Sequence, residues 1–274
     1  MWQSSNPALA HSNAFEQTIN GSAFAMERSN VTTLAGIVNK TVLLSAIALG
    51  AGGIGYWLFQ GNSGVLWISC IAALIVGLGI AFVLGGKPQL SPIFAPVYAV
   101  VEGVFLGAFT ALADTILDQR GVGTAFGGVG LQALVITGCV LASMLALYRS
   151  GLVQPTDKLK AIIFTATGGI MLAYLLSWVL MLFGASMPLI SFPAAVSDTG
   201  WMGFLGLGIN LFILVIAALW LVIDFGEAEK AAAAAAPKYM EWYCGFALLV
   251  TLAWIYYEAV KLVVRLAVLF GNRD

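Results

Sequence analysis

Charge is what this sequence has least of. Asp, Glu, Lys and Arg together make up 9% of its 274 residues, where a soluble domain carries roughly 25%. No charged side chain occurs between Lys40 and Lys87. Apolar residues reach 61% and mean hydropathy is +0.96. No soluble core can absorb that much apolar sequence, so the chain reads as an all-α, polytopic membrane protein whose first partner is the lipid bilayer. The net charge of −1 provides no basic surface for nucleic acid. Cysteine is scarce too: Cys70, Cys139 and Cys244 each stand alone in apolar sequence. They form no CxxC pair and read as small buried hydrophobes. The single histidine, His11, has no Cys or His near it, which argues against an imidazole metal site. The Asp-bearing stretches lack the Gly-x-Gly-Asp pattern of intramembrane aspartyl proteases, and nothing else in the chain reads as an enzyme or as a cofactor site.

Residues 1–30 form a polar tail rich in Ser, Asn and Ala, ahead of a membrane domain over 31–274. No positive n-region precedes an apolar run there, so the tail does not read as a signal peptide. A span needs about 20 apolar residues, and the sequence offers seven. The first two are Ile37–Phe59 and Val65–Leu84, parted by the turn Gly61-Asn62-Ser63-Gly64. The third is Ser91–Ala113, followed by Asp114, Asp118 and Arg120. The fourth is Thr124–Tyr148 and the fifth is Ala161–Phe183, with the basic loop Arg149–Lys160 between them. The stretch Gly184–Thr199 has two prolines and no Lys or Arg, and reads as a loop with room for a short interfacial piece. The sixth span is Gly200–Ile223. Six successive alanines then lead toward the seventh, Tyr239–Leu269; alanine is the best helix former, so a helical extension or a short surface helix is expected there. With the N-terminus inside, eight of the twelve Lys and Arg residues fall on the inner side, as the positive-inside rule requires. Gly103 and Gly107, four apart on the third span, either let a partner helix approach closely or are simply among the glycines common in membrane helices.

Against this apolar background three acids stand out: Glu102, Asp224 and Glu258. An ionisable group within a span is costly and marks a functional site by default. Glu102 has about ten residues of its span on either side, too many for snorkelling to water. Asp224 closes the sixth span. Glu258 sits in the seventh with Lys261 three residues on, within reach of an i,i+3 pair or of a group on another helix. Two carboxylates facing one cavity share protons and offer hard oxygen ligands for Ca²⁺. The same set therefore suits either a proton-sensitive gate or a divalent-cation site.

The stretches carrying these acids resemble the Bax inhibitor family, in its bacterial YccA-like branch. The matching text is Pro96-Val97-Tyr98-Ala99-Val100-Val101-Glu102-Gly103 in the third span and Gly208-Ile209-Asn210-Leu211-Phe212 through Ile223-Asp224-Phe225 in the sixth. In the seventh it is Pro237-Lys238-Tyr239-Met240-Glu241-Trp242 through Tyr257-Glu258. The resemblance implies a fold in which six helices surround the seventh. It also implies a pH-sensitive calcium leak channel of the bacterial inner membrane with its N-terminus cytoplasmic. By motif position Asp224 and Glu258 correspond to the family's proton-sensing pair of aspartates, and Glu102 to an acid on the pore wall. Some members resemble modulators of quality-control proteolysis, so a membrane protease is a possible partner, and a secondary transporter is the other competing class. Helix geometry sets a tension in the implied pair: Glu258 lies roughly 30 Å along the last helix at 1.5 Å per residue, whereas Asp224 sits at the inner end of its own. If the two do not meet, Glu258 is expected to look toward Glu102 or Asp114.

Overall fold

The computed structural model describes residues 30–59, 63–122, 127–185 and 187–271, with side chains in the second helix described from 75 onward. His11 and nearly all of the polar tail lie outside the described residues, as does the side chain of Cys70. Among the described residues eight α-helices follow one another: α1 Leu34–Phe59, α2 Ser63–Gly86, α3 Ser91–Gln119, α4 Gly128–Arg149, α5 Asp157–Leu182, α6 Phe192–Ser197, α7 Gly200–Ala233 and α8 Met240–Phe270. Val31 and Pro237 pair in an antiparallel bridge. Among the described residues six helices are long and apolar enough to cross a membrane: α1, α3 with its preceding turn, α4, α5, α7 and α8. The described part of α2, Ile75–Gly86, is a shorter apolar helix.

The ends of the helices follow local chemistry. Thr156 caps α5 by accepting the Leu159 amide at 3.3 Å, and Ser191 caps the short α6 in the same way, followed by a proline in its first turn. Two helices outrun their expected ends. The α3 helix passes Ala113 because Asp114 is satisfied within the bundle, accepting the Tyr56 hydroxyl and the Val129 amide, each at 3.0 Å. The α7 helix passes Ile223 because Asp224 accepts the Thr251 hydroxyl at 2.6 Å, and the alanine run then carries the helix to Ala233. It stops where Ala235 turns left-handed at φ 47° and Pro237 cannot continue it.

The α8 helix is the packing centre. It contacts α1, α3, α4, α6 and α7, and 61% of its apolar stretch is buried, against 17% for each of α1, α4 and α5. Helix α5 lies along α7, and its Tyr174 reaches α8 at Glu258 and Lys261.

Helices α1 and α3 run parallel in close contact, as the glycine spacing allows. A Cβ on Gly103 would collide with the Ala48 backbone, and one on Gly107 with the Gly52 backbone. Backbones this close replace the hydrophobic drive that lipid does not give. The parallel arrangement also defines the role of α2. Tyr56, near the end of α1, touches Asp114 late in α3. Ser91, at the start of α3, donates to the Tyr239 carbonyl just before α8, at 2.9 Å. The chain therefore leaves α1 at one end of the bundle and enters α3 at the other, and α2 makes the return.

Candidate functional site

The deepest polar structure is a layer of charge on α8. Glu258, Lys261 and Arg265 follow at i, i+3 and i+7, which puts them on one helical face, and each is at most 2% exposed. Lys261 Nζ lies 2.8 Å from Glu258 Oε2. Two other helices close around this pair. From α7, Asn210 Nδ2 donates to Glu258 Oε2 at 2.7 Å and to the Glu258 carbonyl at 3.3 Å. From α5, the Tyr174 hydroxyl donates to Glu258 Oε1 and accepts from Lys261 Nζ at 2.6 Å. The ammonium also lies 4.8 Å and 5.0 Å from the ring centroids of Tyr174 and Tyr257, where the negative ring faces favour a cation. Both carboxylate oxygens are thus bonded, and the lysine has a carboxylate, a hydroxyl and two rings. A buried pair is tolerable only when its remaining lone pairs and protons are satisfied.

Toward the far end of α8 the match is looser. Arg265 donates through one amino group to the Leu189 carbonyl. Its other amino group stands 3.9 Å from Asp198 Oδ2, and that group and Nε have no hydrogen-bond partner among the described residues. Gly206 of α7 makes room for the guanidinium, since a Cβ there would collide with it. The Leu189 backbone is held from both sides, donating to Asp198 Oδ2 at 3.1 Å and accepting from Arg265. That clamp keeps a non-glycine residue left-handed at φ 72°, a conformation that costs about 1–2 kcal/mol.

The three acids singled out in the sequence do not converge. Glu258 meets neither Glu102 nor Asp114: its partners are Lys261, Tyr174 and Asn210. The i,i+3 pair with Lys261 forms, and so does contact with other helices. Asp224 faces Thr251, two turns before Glu258 on α8 and therefore about 10 Å from it along the helix. The α8 group opposite Asp224 is thus a hydroxyl, not a second carboxylate. Glu102 is half-buried on α3 and faces Gly77 of α2, where a Cβ would lie 3.3 Å from its Oε2, with Tyr98 beside it. No set of three or more Asp, Glu, His or Cys side chains converges among the described residues, whereas a resident Ca²⁺ takes six to eight oxygens. At Glu258 the cation's place is taken by the Lys261 ammonium.

Tyr174, Asn210, Thr251 and Asp198 escaped the sequence reading. Asn210 left a signal, being an amide in an otherwise apolar run. So did Arg265, seven residues from Glu258 and therefore on its face. Tyr174 left none, because a tyrosine in a span is unexceptional.

A family model described as Bax inhibitor 1 like matches residues 6–268. No curated protein and no solved structure gives a match. With a match across nearly the whole chain, this membrane protein belongs to the Bax inhibitor 1-like family.

Proposed function

We propose that this protein is a pH-sensitive, calcium-permeable leak channel of the bacterial inner membrane. In this reading it belongs to the YccA-like branch, has its N-terminus in the cytoplasm, and crosses the membrane seven times with α2 as the seventh span. The return path that α2 must make between two parallel helices supports that count.

The observation that carries the functional reading is the Glu258–Lys261 pair, wholly buried at the packing centre and tied to α5 and α7. A proton on Glu258 removes the charge that neutralises Lys261. An unpaired ammonium in a low-dielectric interior costs several kcal/mol, enough to shift a two-state helix arrangement. The gate therefore loosens on acidification, as the helices that the ionised pair held together part. Glu102 on the α3 wall and Asp224 at the α7–α8 contact are the carboxylates for a passing Ca²⁺ in this reading.

The test is calcium flux into liposomes holding the purified protein, measured across pH. Flux is expected to rise as pH falls, and Glu258→Gln to flatten that dependence, because glutamine keeps the size and hydrogen bonding but does not titrate. Absence of passive flux at every pH, from protein shown to be folded, overturns the reading. It is also the result expected of a secondary transporter or of a non-conducting partner of a membrane quality-control protease.

A further inference from the structure

The chain just before α1 is bound to the start of α8, more than 200 residues away in sequence. Val31 and Pro237 form an antiparallel bridge. The Thr32 amide donates to the Ala236 carbonyl at 2.7 Å, and the Lys238 amide to the Asn30 carbonyl at 3.1 Å. The Thr32 hydroxyl donates to the Pro237 carbonyl at 2.7 Å. Glu241, in the first turn of α8 and 2% exposed, accepts the Thr33 amide and hydroxyl, each at 3.0 Å. Lys238 completes the group at 2.9 Å from the same carboxylate.

The seam continues along both helices. A Cβ on Gly36 would run into the Glu241 carboxylate. The Lys40 ammonium lies 4.3 Å from the centroid of a Trp242 ring, and Gly245 lets the α1 backbone in at Thr41. Little of this is generic helix packing. A four-residue segment has backbone groups and two hydroxyls matched to one connection and to the buried Glu241 carboxylate just after it.

We propose that residues 30–33 are a strap that locks the α7–α8 connection and the first turns of α8, and that displacing the polar tail releases it. The tail enters α1 through the strap, so a force on it, or its removal past Thr33, acts first on the bonds to Ala236, Pro237, Lys238 and Glu241. Those bonds fix the inner end of the helix that carries Glu258, Lys261 and Arg265. The strap is thereby a regulatory contact at a point where the bundle's central helix is reachable from outside the membrane.

Hydrogen exchange of the full-length protein in lipid nanodiscs tests this without reference to conduction. Removing residues 1–29, which keeps the strap, is expected to leave protection over 236–245 unchanged. Removing residues 1–33 is expected to raise exchange there about tenfold or more, from the loss of several hydrogen bonds at once. Exchange over 255–265 reports whether the rest of α8 stays folded. Thr32→Val offers a milder release, since it loses only the bond to the Pro237 carbonyl. A disulfide between Val31→Cys and Pro237→Cys, across the bridge, is expected to restore protection in the Thr32→Val background. Equal protection over 236–245 in the 1–33 deletion and the wild type overturns the proposal, and so does a rise already complete in the 1–29 deletion.

Discussion

Glu258 with Lys261 and Glu227 with Lys230 are the same two residue types at the same i,i+3 spacing, on two helices packed against each other. Their surroundings are opposite. The α8 side chains are 0% and 2% exposed and the α7 side chains are 53% and 63% exposed. On α7 the carboxylate shares itself between Lys230 and Lys160 of α5, at 3.0 and 2.7 Å. Water can replace either lysine at small cost. On α8 nothing can replace Lys261, because α5 and α7 close the site around it. A third pair, Lys238 with Glu241, is intermediate: its lysine is half-exposed and its carboxylate buried. Spacing makes each pair possible, and burial decides what it is worth.

The sharpest way to break this comparison is to remove one partner from the buried pair. Lys261→Met leaves Glu258 charged and enclosed, and is expected to cost about 3–5 kcal/mol, read as reversible unfolding in detergent or bicelles. Replacing both, with Glu258→Leu added, is expected to recover most of that loss, because two apolar side chains need no partners. A double variant no better than the single one would mean that the pair does not carry the cost. Second in size is Lys238→Ala. Glu241 keeps both Thr33 bonds, so the expected loss is about 1–2 kcal/mol, centred on the start of α8.

How much of this could be read beforehand depends on the range of the interaction. Helices were legible in place and type, because in lipid every backbone group must bond within its own segment and apolar length alone then reports a helix, whereas the far ends of α3 and α7 were set by polar groups satisfied inside the bundle. The extension of α7 to Ala233 was legible in the alanine run. The α1–α3 contact was half legible: Gly103 and Gly107 allowed a close partner but did not say which helix would supply it. The acids were legible as anomalies, and the Glu258–Lys261 pair as a local possibility. The partners from other helices were not, since nothing in one sequence fixes the rotation of α5 or α7 about its axis. That rotation brings Tyr174 and Asn210 to Glu258 and sets Thr251, not Glu258, opposite Asp224. Asp224 and Glu258 bond different groups, Thr251 and Lys261, and depth is the quantity the sequence had already put under tension.

That separation gives the third expectation. Asp224→Asn and Glu258→Gln act on different partners about two turns apart, so their stability effects are expected to add within about 0.5 kcal/mol. A coupling above 1 kcal/mol in the double-mutant cycle would place both acids in one network and sharpen the comparison in a different direction, toward a shared proton.

The smallest expected effect is at the exposed end of the comparison. Lys230→Ala removes an ammonium that is 63% exposed and leaves Glu227 its closer partner, Lys160 at 2.7 Å. Exposed i,i+3 pairs are worth a few tenths of a kcal/mol and are screened by salt, and alanine returns some helix propensity at that position. The melting midpoint is therefore expected to stay within about 1 °C of wild type at 0.15 M salt, with any difference gone at 1 M, where the screening length is about 3 Å. The same salt series should leave the Lys261→Met deficit intact, because ions do not enter the closed layer between α5, α7 and α8. Should salt erase both differences alike, burial would not be what separates the two pairs, and water would have to reach Glu258 in the folded protein.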